Sequence, residues 1–269
     1  MTAARAGRRA ARAWTRLLAL GLLLAAACER SAPIVVIAHR GEHLHHPENT
    51  LPSIQAAFDL GADYVEIDVR TTADGELVLS HDADVERCTT GRGLVARMTL
   101  ADLRALDAGV KVGSEFAGTR VPTFAEALDA AHGRGGLYVH VKAASAADLV
   151  RRIEAHGMVS RVVIYSDLAN ELRRLNPELT VLPEAVSVEG ARNVIALLQP
   201  RILAFSARDF NPDVIAVAKQ AGIAMYVDRL GADDGVEGWR AAVAAGAAGI
   251  QTDHPGELVA FLRTAGRHR

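Results

Sequence analysis

The chain has 269 residues and a formal net charge of −2 at pH 7, and 50% of its residues are hydrophobic. This composition is typical of a globular protein, and it lacks the strongly basic balance that nucleic-acid binding requires. Two cysteines in the whole sequence are too few for a fold held together by several disulfides.

The first 27 residues predict a signal peptide for export. Five arginines precede the apolar stretch "LLALGLLLAAA", residues 17–27, which is too short to span a bilayer as a helix. A basic segment, a short apolar core and small residues before a cleavage site are typical of such signals. Because this segment contains no acidic residue, its removal leaves a more acidic mature chain, which further disfavours nucleic acid as a partner.

Cys28 directly follows "AAA", an arrangement that resembles the cleavage site of bacterial lipoproteins, in which the first mature residue is a lipidated cysteine. Ordinary cleavage after Ala27 is the alternative, because Ala25 and Ala27 also satisfy the A-x-A rule. In both cases we expect export to the bacterial cell envelope, with membrane contact only through an anchor at Cys28. Residues 28–33 then form a short tether.

Residues 34–265 are predicted to form one domain in which short apolar runs alternate with amphipathic helical patterns. Eight strands separated mostly by helices predict an α/β fold, a (β/α)₈ TIM barrel. An open doubly wound sheet is the alternative, but no glycine-rich phosphate-binding fingerprint follows the first strand. The predicted strands are residues 34–38, 64–69, 137–141, 161–165, 180–182, 202–205, 223–227 and 248–252.

A ninth apolar run, "ELVLS" at residues 76–80, follows the turn "ADG" and predicts a hairpin return from the second strand. The segment that follows, about residues 83–121, is too long for a simple connection between a strand and a helix of a barrel. We therefore expect a small insertion over the barrel mouth, and "TLADLRALDAG" is its clearest predicted helix.

Ionisable residues lie at the ends of the first two strands, where a barrel of this class carries its active site. His39 and Arg40 follow the first strand. Glu66 and Asp68 lie two positions apart on the second strand, so both side chains leave the same face. An exposed edge or a structural ion pair would also explain the two carboxylates, whereas a buried pair at a barrel mouth favours a divalent cation.

Further candidates follow the hairpin and lie on the next barrel strand. His81 ends the run "LVLSH" and, opposite His39 across a metal site, would suit a pair of general acid and general base. Tyr138, His140 and Lys142 share one face of their strand by the same alternation. Lys142 could supply positive charge for an anionic substrate, and a surface lysine is the alternative.

Several motifs together resemble the glycerophosphodiester phosphodiesterase family: "HRG" followed by "PENT", "GADYVEIDVRTTADGELVLSHD", "ERCTTGRG" and "AAGIQTDHP". The resemblance covers most of residues 34–262 and implies a TIM barrel with an inserted subdomain. It also implies metal-dependent hydrolysis of glycerophosphodiesters to glycerol 3-phosphate and an alcohol. The roles implied by motif are general acid and base for His39 and His81, substrate binding for Arg40 and Lys142, and metal binding for Glu66 and Asp68.

The sequence departs from this family on the barrel strand that carries Lys142. The family reads roughly Glu-x-Lys there, with the glutamate as a metal ligand, whereas this chain reads "HVK" with His140 in that place. The family implies one Ca²⁺ or Mg²⁺ ion, and an imidazole ligand favours Mn²⁺, Co²⁺ or Zn²⁺. A changed metal preference, a weaker Ca²⁺ or Mg²⁺ site and a loss of catalysis are the three interpretations.

Two other functions remain open at this stage. One is an exported phosphodiester-binding lipoprotein that has lost turnover, and the retention of both His39 and His81 argues against it. The other is an enzyme of the sphingomyelinase D or lysophospholipase D type, which shares the paired histidines and carboxylates. The long loop that contains "PENT" favours the glycerophosphodiesterase branch.

The first loop contains three more histidines, His43, His45 and His46, which have no counterpart in the family motif. We expect them to lie in a solvated loop, with substrate contact as the alternative. Glu48 and Asn49 are predicted to shape this loop, with Thr50 capping the following helix.

Overall fold

The computed structural model describes residues 32–269, so the predicted signal peptide and Cys28 lie outside the described residues. Pro33–Arg269 forms one compact unit built around a single sheet. In this part of the chain, every strand except β3 runs parallel to its neighbours. The strands are β1 (Val35–Ala38), β2 (Tyr64–Thr71), β3 (Leu77–Leu79), β4 (Gly136–Ala143), β5 (Val162–Tyr165), β6 (Thr180–Val181), β7 (Ile202–Phe205), β8 (Ala224–Asp228) and β9 (Gly249–Thr252).

The parallel strands close into a barrel in the order β1, β2, β4, β5, β6, β7, β8, β9, and β9 pairs back to β1. β6 and β7 meet through a parallel bridge between Glu184 and Ala204. The N–H of Ala185 donates to the carbonyl of Ala204 at 3.0 Å beside this bridge. The predicted (β/α)₈ barrel is therefore confirmed, and the open doubly wound alternative is wrong.

Helices connect the strands and cover the outside of the barrel. Several begin at a capping residue, for example Thr123, whose hydroxyl accepts the N–H of Glu126 at 3.2 Å. No helix within residues 32–269 is both long and apolar enough to cross a membrane. The helices are α1 (Leu51–Asp59), α2 (Leu100–Arg104), α3 (Phe124–Ala131), α4 (Ala146–Ala155), α5 (Ala169–Leu175), α6 (Val188–Leu198), α7 (Pro212–Gln220), α8 (Val236–Ala245) and α9 (Pro255–Thr264).

The alternation along β2 separates two layers of packing. Val65, Ile67 and Val69 are fully buried in the large apolar layer between the sheet and the surrounding helices. A second, smaller apolar cluster fills the barrel interior and includes Tyr138 and Tyr226. Since the inward residues of β2 are instead Glu66 and Asp68, its alternation places carboxylates above this inner cluster.

The hairpin strand β3 pairs antiparallel with the end of β2, as predicted, and brings the following segment to the barrel mouth. The segment after β3 contains α2 and two short 3₁₀ turns, Val95–Arg97 and Ser114–Phe116. It has an apolar cluster of its own that includes Val85 and Leu103. The predicted helix in this insertion is present but shorter, because it ends at Arg104.

Candidate active site

A cavity of about 180 Å³ opens at the carboxyl ends of the strands, where barrels of this class carry their sites. Its floor is formed by Ile37, Tyr138 and Tyr226 of the inner apolar cluster. The structure brings all of the sequence-predicted site residues to this cavity: His39, Arg40, Glu66, Asp68, His81, His140 and Lys142.

Two buried carboxylates lie at the centre of the site. Glu66 is 2% exposed and Asp68 is 1% exposed. Burial, and next the charge of Asp68, raises the pKa of Glu66 well above its usual value. The backbone N–H of Arg40 donates to Glu66 Oε2 at 2.9 Å, which stabilises the ionised form only in part.

Asn49 holds Asp68 from the first loop. Its Nδ2 donates to Asp68 Oδ2 at 2.8 Å, and its Oδ1 accepts the backbone N–H of Asp68 at 3.0 Å. The backbone of Asn49 has φ +54°, a left-handed conformation that asparagine tolerates better than most residues. The sequence predicts that Asn49 shapes the loop, but not that it fixes a carboxylate of the site.

The second oxygen of Asp68 is free to bind a cation. Asp68 Oδ1 is buried and has no hydrogen-bond partner among the described residues. His140 Nδ1 lies 3.5 Å from this atom and 3.8 Å from Glu66 Oε1. Two ligands about 2.1 Å from one tetrahedral metal ion lie roughly 3.4 Å apart, so the three side chains fit a single cation.

His140 is suited to be a metal ligand because its ring is neutral. Burial, and next the positive charge of Lys142, lowers the pKa of His140 to about 4. A neutral imidazole offers the lone pair that coordination requires. The buried set of Glu66, Asp68 and His140 therefore offers two carboxylate oxygens and one nitrogen to the same point.

Two basic side chains flank the carboxylates. Lys142 Nζ lies 3.4 Å from Asp68 Oδ1, and Arg40 Nε lies 3.6 Å from Asp68 Oδ2. Arg40 also donates through Nη1 to Glu48 Oε1 at 3.2 Å, while its buried Nε has no hydrogen-bond partner within residues 32–269. Fixed positive charge with an unused donor suits the oxygens of an anionic substrate.

His39 is oriented by a carboxylate from the loop after β9. Its Nδ1 lies 2.7 Å from Asp253 Oδ1. Burial opposes ionisation of Asp253, but hydrogen bonds from His39 and His43 hold its pKa far below the usual value. An ionised carboxylate only accepts hydrogen bonds, so the proton of a neutral His39 lies on Nδ1, and Nε2 carries the lone pair.

His81 has the same arrangement on the other side of the cavity. Its Nδ1 lies 2.7 Å from Asp82 Oδ1, and Asp82 Oδ2 accepts from Arg87 Nε at 2.6 Å. The hydrogen bond from Arg87 is the largest cause that lowers the pKa of Asp82 to about 2. Arg87 also donates to both oxygens of Glu48 at 2.5 and 2.8 Å, which ties the insertion to the first loop.

The remaining loop histidines differ from the prediction in one case. His43 does not lie in solvent: it is 19% exposed, and its Nε2 lies 2.7 Å from the same Asp253 oxygen that His39 contacts. His45 is solvated as expected, with 79% of its side chain exposed. His45 and His46 both bond the buried carboxylate of Glu42, at 2.7 and 2.6 Å.

The wall next to His140, which continues through Tyr165 and Glu184 to Asp228, offers hydrogen-bond acceptors. Tyr165 donates through its hydroxyl to Glu184 Oε2 at 2.8 Å. Asp228 Oδ1 accepts the N–H of Ala207 at 2.6 Å, and burial raises the pKa of Asp228. A side with two basic groups and an acceptor-rich side in one small cavity suit an anionic ligand that carries hydroxyl groups.

Comparisons with known proteins agree with this geometry. The model of the Glycerophosphoryl diester phosphodiesterase family matches residues 39–164. A Caldanaerobacter subterraneus glycerophosphodiester phosphodiesterase is 32% identical over 255 residues, which is 86% of this chain and 99% of that protein. A crystal structure of an Agrobacterium tumefaciens glycerophosphodiester phosphodiesterase is 28% identical with a TM-score of 0.77, and the match covers 84% of this chain and 99% of that one.

A further structure similar to this chain contains a small molecule. It is an Oleispira antarctica phosphodiesterase in complex with the product sn-glycerol-3-phosphate, with 25% identity and a TM-score of 0.78. The match covers 86% of this chain and 97% of that chain.

The clamp on Asp68 can be tested by its effect on stability. Replacing Asn49 by alanine removes two buried hydrogen bonds, and we expect the free energy of unfolding to fall by about 1–3 kcal/mol. Asn193→Ala, at an exposed position of α6, should change it by less than about 0.5 kcal/mol. Denaturant titrations of the three proteins measure the difference. Asn49→Gly, which accepts the left-handed backbone, should remain destabilised, and a variant as stable as wild type would contradict a stabilising role for the amide.

Proposed function

The chain belongs to the glycerophosphoryl diester phosphodiesterase family, and we propose that its cavity hydrolyses glycerophosphodiesters to glycerol 3-phosphate and an alcohol with one divalent cation. The observation that carries this proposal is the buried Asp68 Oδ1, which has no hydrogen-bond partner among the described residues and lies beside Glu66 and His140. The product complex of the Oleispira antarctica relative supports glycerol 3-phosphate as the product. The substrate is therefore a small molecule.

The residues divide the work of displacement at phosphorus. Arg40 and Lys142 bind and orient the phosphate oxygens and offset their negative charge. Glu66, Asp68 and His140 would hold the cation, which would supply further charge neutralisation as a Lewis acid when bound. The nucleophile is either water, which gives glycerol 3-phosphate directly, or the substrate's own glycerol hydroxyl, which gives a cyclic phosphate that water then opens to glycerol 3-phosphate. In both routes the bond from phosphorus to the alcohol oxygen breaks as the first new bond forms, and the alcohol leaves.

The two carboxylate-bound histidines move the protons. One of His39 and His81 accepts the proton of the nucleophile through Nε2. The other, in its protonated form, donates from Nε2 to the leaving alcohol oxygen. Asp253 and Asp82 support this exchange, because each holds Nδ1 protonated and stabilises the imidazolium that forms.

We further propose that the protein is exported and anchored at Cys28. The basic, apolar and small-residue segments of residues 1–27 and the cysteine after "AAA" support this. A lipid at Cys28 would hold the barrel at a membrane surface in the cell envelope, outside the cytoplasm. Its substrates would then be the soluble phosphodiesters of that compartment.

The proton carriers can be tested by single substitutions. His39→Ala and His81→Ala should each lower kcat by about 10²–10⁴-fold, because each removes one proton-transfer group. Release of glycerol 3-phosphate from glycerophosphocholine, glycerophosphoethanolamine and glycerophosphoglycerol measures the rate. His132→Ala, at an exposed position after α3, should retain wild-type rates. A wild-type rate in either cavity variant would remove that histidine from the mechanism.

The third ligand sets the choice of metal. The mixed nitrogen and oxygen set should bind Mn²⁺, Co²⁺ or Zn²⁺ more tightly than Ca²⁺ or Mg²⁺, and His140→Glu should shift the order toward Ca²⁺ and Mg²⁺. After chelation, the rise in melting temperature with each added metal gives the order independently of activity. Asp68→Asn should weaken the binding of all of these metals. An order unchanged in His140→Glu would contradict ligation by His140 and leave Glu66, Asp68 and water as ligands.

The anchor can be tested by detergent partition of protein produced from the full sequence in a bacterium. Wild type should enter the detergent phase, and Cys28→Ala should remain in the aqueous phase because it has no site for the lipid. Cys88→Ala is the matched control, since Cys88 lies in the barrel insertion, and it should behave as wild type. A mature chain that begins at Cys28 without added acyl mass would exclude the anchor but not export.

A further inference from the structure

A second group of metal-ligating atoms lies beside the proposed metal site, at the rim of the cavity. His39 Nδ1 and His43 Nε2 each lie 2.7 Å from Asp253 Oδ1. The two rings are perpendicular, with centroids 5.4 Å apart. One ligand atom from each of the three residues lies within 4.8 Å of the others. The group shares no residue with Glu66, Asp68 and His140.

The backbone that carries the carboxylate of this group is fixed in place. The backbone N–H of Asp253 donates to Asp234 Oδ2 at 2.5 Å. The other oxygen of Asp234 accepts from Trp239 Nε1 at 2.8 Å and from the hydroxyl of Thr252 at 2.5 Å. Trp239 is 1% exposed and belongs to the apolar core, so the core holds Asp234 and, through it, the backbone of Asp253. Binding an ion requires each nitrogen to move from 2.7 Å to roughly 3.4 Å from the carboxylate oxygen. The partly exposed rings of the two histidines can make this shift while the backbone of Asp253 stays in place.

The donor types select the class of ion. Two imidazoles and one carboxylate are the ligands of Zn²⁺ and of similar transition metals, whereas Ca²⁺ and Mg²⁺ require mostly oxygen. Each of the three residues is partly exposed, so a fourth position on the ion remains open to water.

A second groove reaches the group from outside the catalytic cavity. This groove has a volume of about 450 Å³ and includes Asp253 in its wall. His45 and His46 contribute imidazoles to it, and Glu42 and Glu257 contribute carboxylates. A transition-metal ion can therefore reach Asp253 through this groove, whose imidazoles and carboxylates bind such ions weakly, without crossing the catalytic cavity.

We propose that His39, His43 and Asp253 form a second, inhibitory site for Zn²⁺ or a similar transition-metal ion. The ion takes the lone pair of His39 Nδ1, so the proton of the neutral ring moves from Nδ1 to Nε2. In His43 the proton moves from Nε2 to Nδ1, so no net proton is released. His39 then presents an N–H to the cavity in place of a lone pair. This loss of activity rests on the proposed proton-transfer role of His39, whereas binding of the ion does not.

Zinc binding and inhibition in two matched variants test the site. With ZnCl₂ as the probe, equilibrium dialysis and elemental analysis should show one zinc ion fewer per chain in His43→Gln than in wild type. The glutamine amide can still donate to Asp253 but does not bind zinc. His45→Gln, in the same loop and bonded to Glu42, should retain the wild-type number. Melting temperatures verify that both variants are folded.

Activity is then measured in saturating Mn²⁺ with increasing ZnCl₂, each protein being normalised to its own zinc-free rate. Zinc should lower the rate of wild type and of His45→Gln by about 10²-fold, the contribution of one proton-transfer group, whereas the rate of His43→Gln should change little.

An unchanged number of bound zinc ions in His43→Gln would overturn the site. Loss of the ion in His45→Gln instead would place it in the groove and also overturn the site. Loss of the ion in His43→Gln with no difference in inhibition would overturn the link to His39. Failure of the proposed function would appear separately, as a wild-type rate in His39→Ala.

Discussion

The burial of two neighbouring carboxylates on one strand is the constraint on which the site depends. Glu66 and Asp68 point inward from β2 because strand alternation allows nothing else once Val65 and Ile67 face the helices. Charges so close together in a water-poor place are unstable without compensation. The N–H of Arg40 and the positive charge of Lys142 supply part of it. Burial raises the pKa of Glu66, and the cation that we propose beside Asp68 Oδ1 would offset the charge that remains.

Around these carboxylates, hydrogen bonds and ion pairs connect the first loop, the insertion and the histidine after β3. Glu48 accepts hydrogen bonds from both Arg40 and Arg87, and Arg87 in turn holds the carboxylate of Asp82. The first loop and the insertion therefore share one ionic network. His81 depends on that network for its orientation, because Asp82 is its partner. The insertion thus does more than cover the barrel mouth: its Arg87 holds both Asp82, the partner of His81, and Glu48, the partner of Arg40.

Local patterns in the sequence predicted much of this fold and part of the site. The alternation along β2 was sufficient to place both carboxylates on the inner face, and the family motifs identified the histidines. The environment of His43 could not be predicted, because its partner Asp253 is 210 positions away and the two meet only when the barrel closes between β1 and β9. The loop turns back through Arg40, which has φ +52°, a conformation that residue type alone does not indicate.

The barrel is held together least between β6 and β7. Within residues 32–269, β6 is the shortest strand, and it joins β7 through only one bridge, between Glu184 and Ala204. His39, Arg40, Glu66 and Asp68 come from the ends of β1 and β2, and His81 follows the hairpin strand β3, so none of them lies at this junction. Local opening of a fold is easiest where the fewest bonds hold it. In this barrel that place is next to Glu184, which forms the single bridge and accepts the hydrogen bond from Tyr165 in the cavity wall. A change in the width of the cavity would therefore cost least at this wall, away from the closely paired strands β1 and β2 that carry the proposed phosphate-binding and metal-binding residues.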